Sequence, residues 1–567
     1  MEVKKNKSVS VSLVICIGIA VAFTVLRLAL SDVLMVYYIP FTGYDDVMQL
    51  LKAISITDGV WLGAFSSTTL VKGVGYPLLT ALFHSINIPY IFAYHLLYVL
   101  SCLVFILAIK PVTPNKWFAL FAYAFLLFSP IAFSAQLTRL YRDIGYYSVA
   151  LFSFSMTLGM MLRYKNTKNS IGFAICAGFS LSFAVSYRED SHWLLIYGVA
   201  CSIVYIIAAF FHKREQHKRW KILTAPALFL VCFLAYQLTV SGINYHYYGY
   251  FIADDYNSGV YAKAYGALSR VNNSEEDPRI VIAEAQRMQL YELSPAFAEL
   301  RDYLENDDSP FREWVWVQGE YRTGYFSFVL RDVVASAGYY TDASTANDYY
   351  ERLADEVNQI CDEGLIDAGP KRRGVVGRYY PWMLKPIAVS TFDAVLSVLA
   401  CPGINPSPIP VEFSDKELAK IESWIHDEIA ALRVYEDGHK EYNCIIESGW
   451  KLIAWHIIRI VLQIYRLLLP VGFIFSLLSV LAVGFSLIAR KIKGYQNDWM
   501  PWIASASLLC LYILRCFMLA YVQVSAFPAI GTPSYEAASY PALIAFIIVA
   551  VFSAYKQIVI VAKKKNP

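Results

Sequence analysis

Charge is what this chain has least of for its length. Of 567 residues, 16% are Asp, Glu, Lys or Arg, where soluble domains carry about 25%. Together with 57% hydrophobic residues, this excludes a soluble fold around one core. Chemical motifs are missing too. No Gly-rich loop of the phosphate-cradling kind occurs, so ATP-driven transport has no support, and no His-x-Glu or His-Glu-x-x-His arrangement supports zinc hydrolysis. Ten cysteines are present, but only Cys361, Cys401 and Cys444 fall outside the apolar runs. An odd number at irregular spacing forms neither a disulfide framework nor a zinc signature; it leaves room for one disulfide, whose pair the sequence does not choose. A net charge of +3 makes no case for nucleic acid as a partner.

What the chain does have is apolar runs long enough to cross roughly 30 Å of hydrocarbon. They fall at 11–30, 88–109, 117–135, 144–162, 171–185, 193–211, 222–243, 467–488, 502–522 and 541–561. The expected fold is therefore an α-helical polytopic membrane protein with about ten transmembrane helices. The first run lacks a small-residue cleavage site and is too long for a signal-peptide core, so it reads as a retained anchor.

Basic residues collect in cytoplasmic loops, and here they alternate. Lys4, Lys5 and Lys7 place the N-terminus inside. The same side receives Lys110 and Lys116, then Arg163, Lys165 and Lys168, the run from Lys213 to Arg219 with Lys221, then Arg490, Lys491 and Lys493, and finally Lys563, Lys564 and Lys565. The pattern holds if 76–86, a short stretch between Pro77 and Pro89, is an interfacial or re-entrant helix and not a span. The expectation is a plasma-membrane protein with both termini cytoplasmic.

That topology puts the polar clusters on the other side. Residues 1–243 form a seven-span module whose first external loop is 31–87. Residues 244–448 form a mainly helical extracytoplasmic domain of a usual domain size. Its clearest helix covers 342–361, where Ser344 or Thr345 can cap, the apolar positions recur at helical spacing and Gly364 ends the run; after the prolines at 402–410, helix resumes over 414–431. Residues 449–567 hold an interfacial helix at 450–466, with Lys451, Arg459 and Arg466 spaced by seven or eight residues, and three further spans.

The first external loop carries the sharpest feature, Asp45-Asp46. Thr42-Gly43-Tyr44-Asp45 reads as a capped helix start, and Val47, Leu50, Leu51 and Ile54 make an apolar stripe along the membrane surface. Two roles fit the acids equally. They cap the helix and complement its dipole, worth about 0.5–2 kcal/mol, or the dipole keeps one carboxylate ionised and ready to take a proton from a hydroxyl. Arg139, Arg142 and Arg188 stand at span ends on the same side, beside Asp143, Glu189 and Asp190, and Lys72 adds a cation in the same external loop. Each alone reads as a snorkelling or paired side chain. Three Arg–acid clusters on one face suit binding of a phosphate, for which arginine is made. His246 stands among four tyrosines, where an ordinary interfacial histidine is a better reading than a site residue.

This layout resembles the GT-C class of membrane glycosyltransferases, in which a first external loop carries an essential Asp, juxtamembrane helices follow, and about seven spans precede a variable remainder. The segments Asp45-Asp46-Val47, Thr69-Leu70-Val71-Lys72-Gly73-Val74-Gly75-Tyr76-Pro77, Tyr187-Arg188-Glu189-Asp190 and Tyr349-Tyr350-Glu351-Arg352-Leu353-Ala354-Asp355-Glu356-Val357-Asn358 look like those of poorly characterised bacterial members. The resemblance implies an inverting transfer outside the membrane, from a polyprenyl-phosphate-linked sugar donor to a glycan, lipid or protein acceptor, with membrane lipids around. It implies Asp45 or Asp46 as base and Lys72, Arg139, Arg142 and Arg188 as cations at the donor phosphate. Tyr44, Asp143, Glu189, Asp190 and His246 would orient substrate or those cations. No cofactor is required, although paired carboxylates can bind Mg²⁺ or Mn²⁺. The rival readings are a transporter or flippase of lipid-linked glycans, against which the spans hold few charges, chiefly Arg27 and Arg515, and no inverted repeat, and a non-catalytic membrane scaffold, which leaves the first-loop acids without purpose.

Overall fold

The structure, a computed structural model, describes residues 11–212, 219–256, 258–273, 277–311, 315–317, 320–444, 449–495 and 497–565. Lys4, Lys5, Lys7, residues 213–218 and the basic side chains at 219 and 563–565, which carry part of the orientation argument, lie outside the described residues.

The chain opens with α1 (Val11–Ser31), a first loop holding α2 (Asp46–Thr57) and α3 (Gly75–Ser85), then α4 (Tyr90–Ile109), α5 (Lys116–Leu127), α6 (Asp143–Leu162), α7 (Thr167–Tyr187), α8 (His192–His212) and α9 (Thr224–Tyr248). Next come α10 (Gly259–Leu268), α11 (Glu284–Leu293), α12 (Pro295–Ala298), α13 (Arg301–Glu305), the hairpin of β1 (Val315–Val317) and β2 (Glu320–Tyr321), α14 (Thr323–Ser336), α15 (Ala343–Asp362) and α16 (Leu384–Ala400). A small sheet follows, β3 (Val411–Ser414) parallel to β4 (Ala431–Val434) and β4 antiparallel to β5 (Lys440–Tyr442), with α17 (Asp415–Ile425) between its first strands. The chain closes with α18 (Gly449–Ile492), α19 (Met500–Ser525), α20 (Pro533–Glu536) and α21 (Ser539–Lys565).

Among the described residues, 10 helices are long and apolar enough to cross a membrane. The protein is a helical polytopic membrane protein, as its composition requires: inside hydrocarbon each backbone N–H and C=O must find its partner within the segment. α1, α4, α6, α7, α8, α9, α18, α19 and α21 coincide with expected spans, and the 11-residue α3 is the short helix expected at 76–86.

The expected span at 117–135 takes a different form. α5 has only 12 residues, about 18 Å of helix, and two 3₁₀ turns, Pro130–Phe133 and Ala135–Thr138, extend it. The segment still runs the length of α1: Lys116 bonds Ser12 at one end, and Thr138 Oγ1 donates to the Met35 carbonyl (2.6 Å) at the other. Arg27 makes the early stop workable. Fully buried, it donates Nε to the Leu127 carbonyl (3.1 Å) and Nη2 to the Ala132 carbonyl (3.2 Å), and its guanidinium lies 4.1 Å from the centroid of the Phe133 ring. Those carbonyls have no water to turn to, so the charge that looked out of place in the first span closes the fifth helix.

α16 was expected within the outer domain but is an apolar helix of span length packed on α19. It does not carry the chain across. Tyr521 near the end of α19 donates to the Gly377 carbonyl just before α16 (2.8 Å), Tyr512 reaches the Val395 carbonyl (3.2 Å), and past α16 the Asn405 carbonyl accepts from Ala135 N (2.8 Å), on the first-loop face. Residues 244–448 accordingly do not share one core. Those from Tyr261 to Ile366 form their own, while the α16 residues Ala394, Val395 and Val398 and the sheet residues Phe413 and Ala431 join the core of the membrane helices.

Two helix ends differ from expectation. The side chain of Asp342, not Ser344 or Thr345, caps α15 by accepting from Thr345 N (2.9 Å). α17 stops at Ile425 with His426 at φ 54°, because Ile429 and β4 are drawn into strand pairing with Val36 and β3. The expected interfacial helix and eighth span are one continuous helix of 44 residues, α18, with Pro470 inside it. At about 66 Å it is twice the hydrocarbon thickness, so its first half stands beyond the bilayer core.

Candidate active site

The site is assembled by a backbone zipper. Val36 N donates to the Glu428 carbonyl (2.9 Å) and its own carbonyl accepts from Ala430 N (2.8 Å), while the Tyr37 carbonyl accepts from Leu140 N (2.7 Å). Residues 36–37 thus lie between 138–140 and 428–430, and Arg139 is delivered beside the start of α2.

There the two acids part company. Asp46 is fully buried, accepts hydrogen bonds from Ile39 N (3.2 Å) and Thr42 Oγ1 (3.1 Å), and pairs with Arg139. The Asp45 side chain is 34% exposed and meets Lys72 Nζ (2.6 Å) and Arg139 Nη2 (3.2 Å). Asp45 is the N-cap residue of α2 but makes no side-chain cap bond. Capping is therefore not what holds the pair. Burial pushes the Asp46 carboxyl up to about 6, with Arg139 opposing. Burial would raise Asp45 as well, but Lys72, then Arg139, outweigh it and hold that carboxyl well below its ordinary value.

Lys72 owes its place to two glycines. Segment 70–76 runs tightly along the end of α7: a Cβ on Gly73 would collide with the Ser186 carbonyl, and one on Gly75 would stand 2.7 Å from Tyr187 N. The close approach lets Gly73 N donate to Glu189 Oε1 (3.2 Å). It also buries Lys72, whose ammonium donates to the Tyr44 carbonyl (2.5 Å), Asp45 Oδ1 (2.6 Å) and Tyr141 Oη (2.9 Å). All three protons are used. The two glycine- and charge-bearing sequence segments, 69–77 and 187–190, are thus two sides of one contact.

Tyr141 is the hub of the cations. Arg139, Lys72 and Arg142 lie 4.8, 5.0 and 5.2 Å from its ring centroid, within cation–π range. Arg142 pairs with Glu189. Arg188 continues the network to Asp143 (2.8 Å), Asp190 (3.0 Å) and the Ser534 carbonyl (3.0 Å), and Arg515 of α19 reaches Asp190 (2.8 Å) and the Tyr535 carbonyl (2.8 Å). Buried charges persist when paired and hydrogen-bonded, and here each acid of the site has such a partner.

Asp45, Asp46, Lys72, Arg139, Arg142, Asp143, Arg188, Glu189 and Asp190 therefore come together. Tyr44 joins them by its carbonyl, while its hydroxyl donates to Asp332 (2.5 Å) and its ring sits 4.5 Å from Phe328, tying α14 to the loop. His246 is not brought in: it is exposed at the end of α9, and its ring packs on Tyr247. Sequence reading passed over Tyr141, Asp332 and Lys52. Lys52 is buried on the inner face of α2, its ammonium 3.5 Å from the Lys72 carbonyl, and burial pulls it down to about 7. Lys52 falls opposite the stripe of Val47, Leu50, Leu51 and Ile54, where a solvated lysine is expected, so the pattern gave no signal of its burial.

No group of three or more His, Cys, Asp or Glu side chains suited to a metal occurs among the described residues. Asp45 and Asp46 spend their charge on Arg139 and Lys72, which stand where a divalent cation bound by the pair would, so Mg²⁺ or Mn²⁺ does not fit this arrangement. All ten cysteines are free, Cys361, Cys401 and Cys444 included.

Fold and site together define a polytopic helical membrane protein whose loops converge, on one face, on a buried network of carboxylates and cations. Among solved structures the chain is similar to the crystal structure of ArnT from Cupriavidus metallidurans in the apo state, at 11% identity and a TM-score of 0.27 over 96% of this chain and 77% of that one. It is similar also to ArnT from Cupriavidus metallidurans bound to undecaprenyl phosphate, at 12% identity and a TM-score of 0.28 over 97% and 78%. No protein-family model matches the chain, and no curated protein does.

Proposed function

We propose that the protein is a membrane glycosyltransferase that moves a sugar, on the extracytoplasmic face, from a polyprenyl-phosphate-linked donor to a hydroxyl of a cell-surface glycan, lipid or protein. The observation that carries this is the division of labour at Asp45-Asp46: the half-buried Asp45 is held ionised by two cations, beside further arginines at the ends of apolar helices. Asp45 takes the proton of the acceptor hydroxyl. The acceptor oxygen bonds to the anomeric carbon from the side opposite the leaving group, and the carbon–oxygen bond to the phosphate breaks with its electron pair kept by the phosphate, inverting the centre.

Lys72 and Arg139 serve both partners. While they rest on Asp45 they keep it ionised but weakly basic; a phosphate anion beside them shares their charge and returns basicity to the carboxylate. The same cations, with Arg142, offset the charge that grows on the departing phosphate. Asp46, which is buried, positions Arg139. A transport reading draws less support, since Arg27 and Arg515, the charges a pathway through the spans would use, are committed to backbone carbonyls and Asp190.

The test is a mass profile of surface glycans and lipid-linked sugars from cells carrying the intact gene, a deletion, or Asp45→Asn, with membrane levels checked. A sugar lost in both altered strains, at normal protein levels, supports transfer with Asp45 as base. An Asp45→Asn profile equal to the intact one sinks that assignment.

A further inference from the structure

A cavity of about 410 Å³ lies between residues 403–407 and the first half of α18, lined by Asn405, Ser407, Trp455, Arg459, Gln463 and Arg466 among others. Its size is that of small-ligand sites. Arg459 and Arg466 are two turns apart on one helix face with Gln463 between them, so two cationic groups about 10 Å apart along the axis bracket an amide. The Arg459 guanidinium is steadied 4.6 Å from the centroid of the Trp455 ring. Among the described residues neither arginine has a carboxylate within ion-pair distance, in contrast to every arginine around Asp45; nearby Lys451 is the one that faces Glu428, at 3.9 Å.

The helix itself indicates the ligand. Some twenty residues, the length that spans the hydrocarbon, separate Arg490 at the basic end of α18 from Pro470. Arg466 then stands in the headgroup layer and Arg459 above it. About a quarter turn round the helix from the arginines, its surface continues below as Leu467, Val471, Ile474, Phe475 and Leu478, each more than half exposed (68, 58, 58, 56 and 61%). Unpaired guanidiniums above an uncovered apolar stripe match a molecule with an anionic head and hydrocarbon tails.

We propose that this groove binds the phosphate headgroup of a membrane lipid, at a site separate from the Asp45 network. Arg466 and Arg459 hold the phosphate oxygens, Gln463 and Asn405 lie beside them, and the tails follow the stripe. Its wall also touches the central network: the Asn405 carbonyl accepts from Ala135 N (2.8 Å), at the start of the turn that leads into Arg139. The groove is where a phosphate-bearing lipid substrate docks on its way to that network, an assignment of purpose that rests on the transferase reading, whereas the binding does not.

The experiment uses the full chain in detergent and counts retained lipids by native mass spectrometry after addition of dilauroyl phosphatidate, with dilauroyl phosphatidylcholine and inorganic phosphate as comparisons. Both arginines are exposed, so the R459Q/R466Q protein is expected to fold, checked by its elution volume. The wild type should keep one phosphatidate more than the double variant, and each single variant should bind it about tenfold more weakly. Equal retention by wild type and double variant overturns the site. Phosphatidylcholine held as tightly as phosphatidate means the arginines only snorkel, and displacement by excess inorganic phosphate means the ligand is the free anion; both overturn a lipid-phosphate site. The two readings fail separately. If Asp45→Asn leaves every glycan intact while retention still needs the arginines, transfer falls and the groove stands; if Asp45→Asn abolishes transfer and the arginine variants retain lipid normally, the groove falls alone.

Discussion

Lys72 Nζ lies 2.6 Å from Asp45 Oδ1, across 27 residues of sequence. The pair sets the charge state of Asp45, the member of the Asp45-Asp46 pair that reaches the surface. Replacing the lysine by a neutral residue of similar length isolates that effect. Lys72→Gln should lower transfer on the order of 10²-fold, the scale of losing one donor in a charge-stabilising site. With its nearest cation gone, the Asp45 carboxyl rises, so the acid limb of the rate profile should move to higher pH. A pH–rate comparison in membranes reads both; a uniform loss with an unmoved limb would assign Lys72 to packing alone.

Asp46 predicts a pH dependence of stability with its own sign. Its carboxyl is raised from 3.8 to about 6, so between those values the folded state binds more protons than the unfolded one, and stability rises as pH falls. The contribution is fully present below the ordinary carboxyl value and lost as pH rises through about 6. Relative to Asp46→Asn, the wild type should gain on the order of 1 kcal/mol per pH unit on going from about pH 6 to 4. Thermal unfolding of both proteins in detergent measures this. Asp427, also raised to about 6 by burial, is common to both and cancels. Parallel curves would mean that Asp46 titrates normally.

Gly73→Ala places a methyl group into the Ser186 carbonyl. Backbone has little freedom to yield there, so a loss of about 1–3 kcal/mol is expected, along with displacement of Lys72. Reduced accumulation and a lower Tm should accompany lost transfer. Wild-type behaviour would show that segment 70–76 sits further from α7.

Arg27→Leu keeps the first span apolar, and by hydropathy alone should be neutral or favourable. The structure predicts the reverse, because the Leu127 and Ala132 carbonyls lose their donor at about 1–3 kcal/mol each. Protease resistance of the protein in membranes should fall, and Arg27→Lys should restore part of it.

Much of the fold was legible in the chain. Nine apolar runs coincide with helices long enough to span, because span length is a local property imposed by the bilayer. The short α3 and the capped α15 were equally local. The exceptions each answer to something distant: α5 is cut short where Arg27, 100 residues earlier, closes its carbonyls; α16, interrupted by Lys385 and Asp393, becomes a bundle helix only by packing on α19; α17 ends early because Val36 recruits Ile429.

The site divides along the same line. The sequence alone determined which residue types gather on one face, since loops alternate across the membrane and Asp45, Lys72, Arg139, Arg142, Arg188 and Glu189 all fall in loops of the same parity. Only tertiary structure decided what each does. That Asp45 is half-buried and Asp46 fully so, that Lys72 spends its protons on Asp45, Tyr44 and Tyr141, that Asp332 anchors Tyr44 from 288 residues away and that His246 stands apart all depend on close packing between distant segments. Hydropathy is summed along the chain and can be read there; an ion pair is set by angstroms between residues that the chain keeps apart, and exists only once the helices have packed.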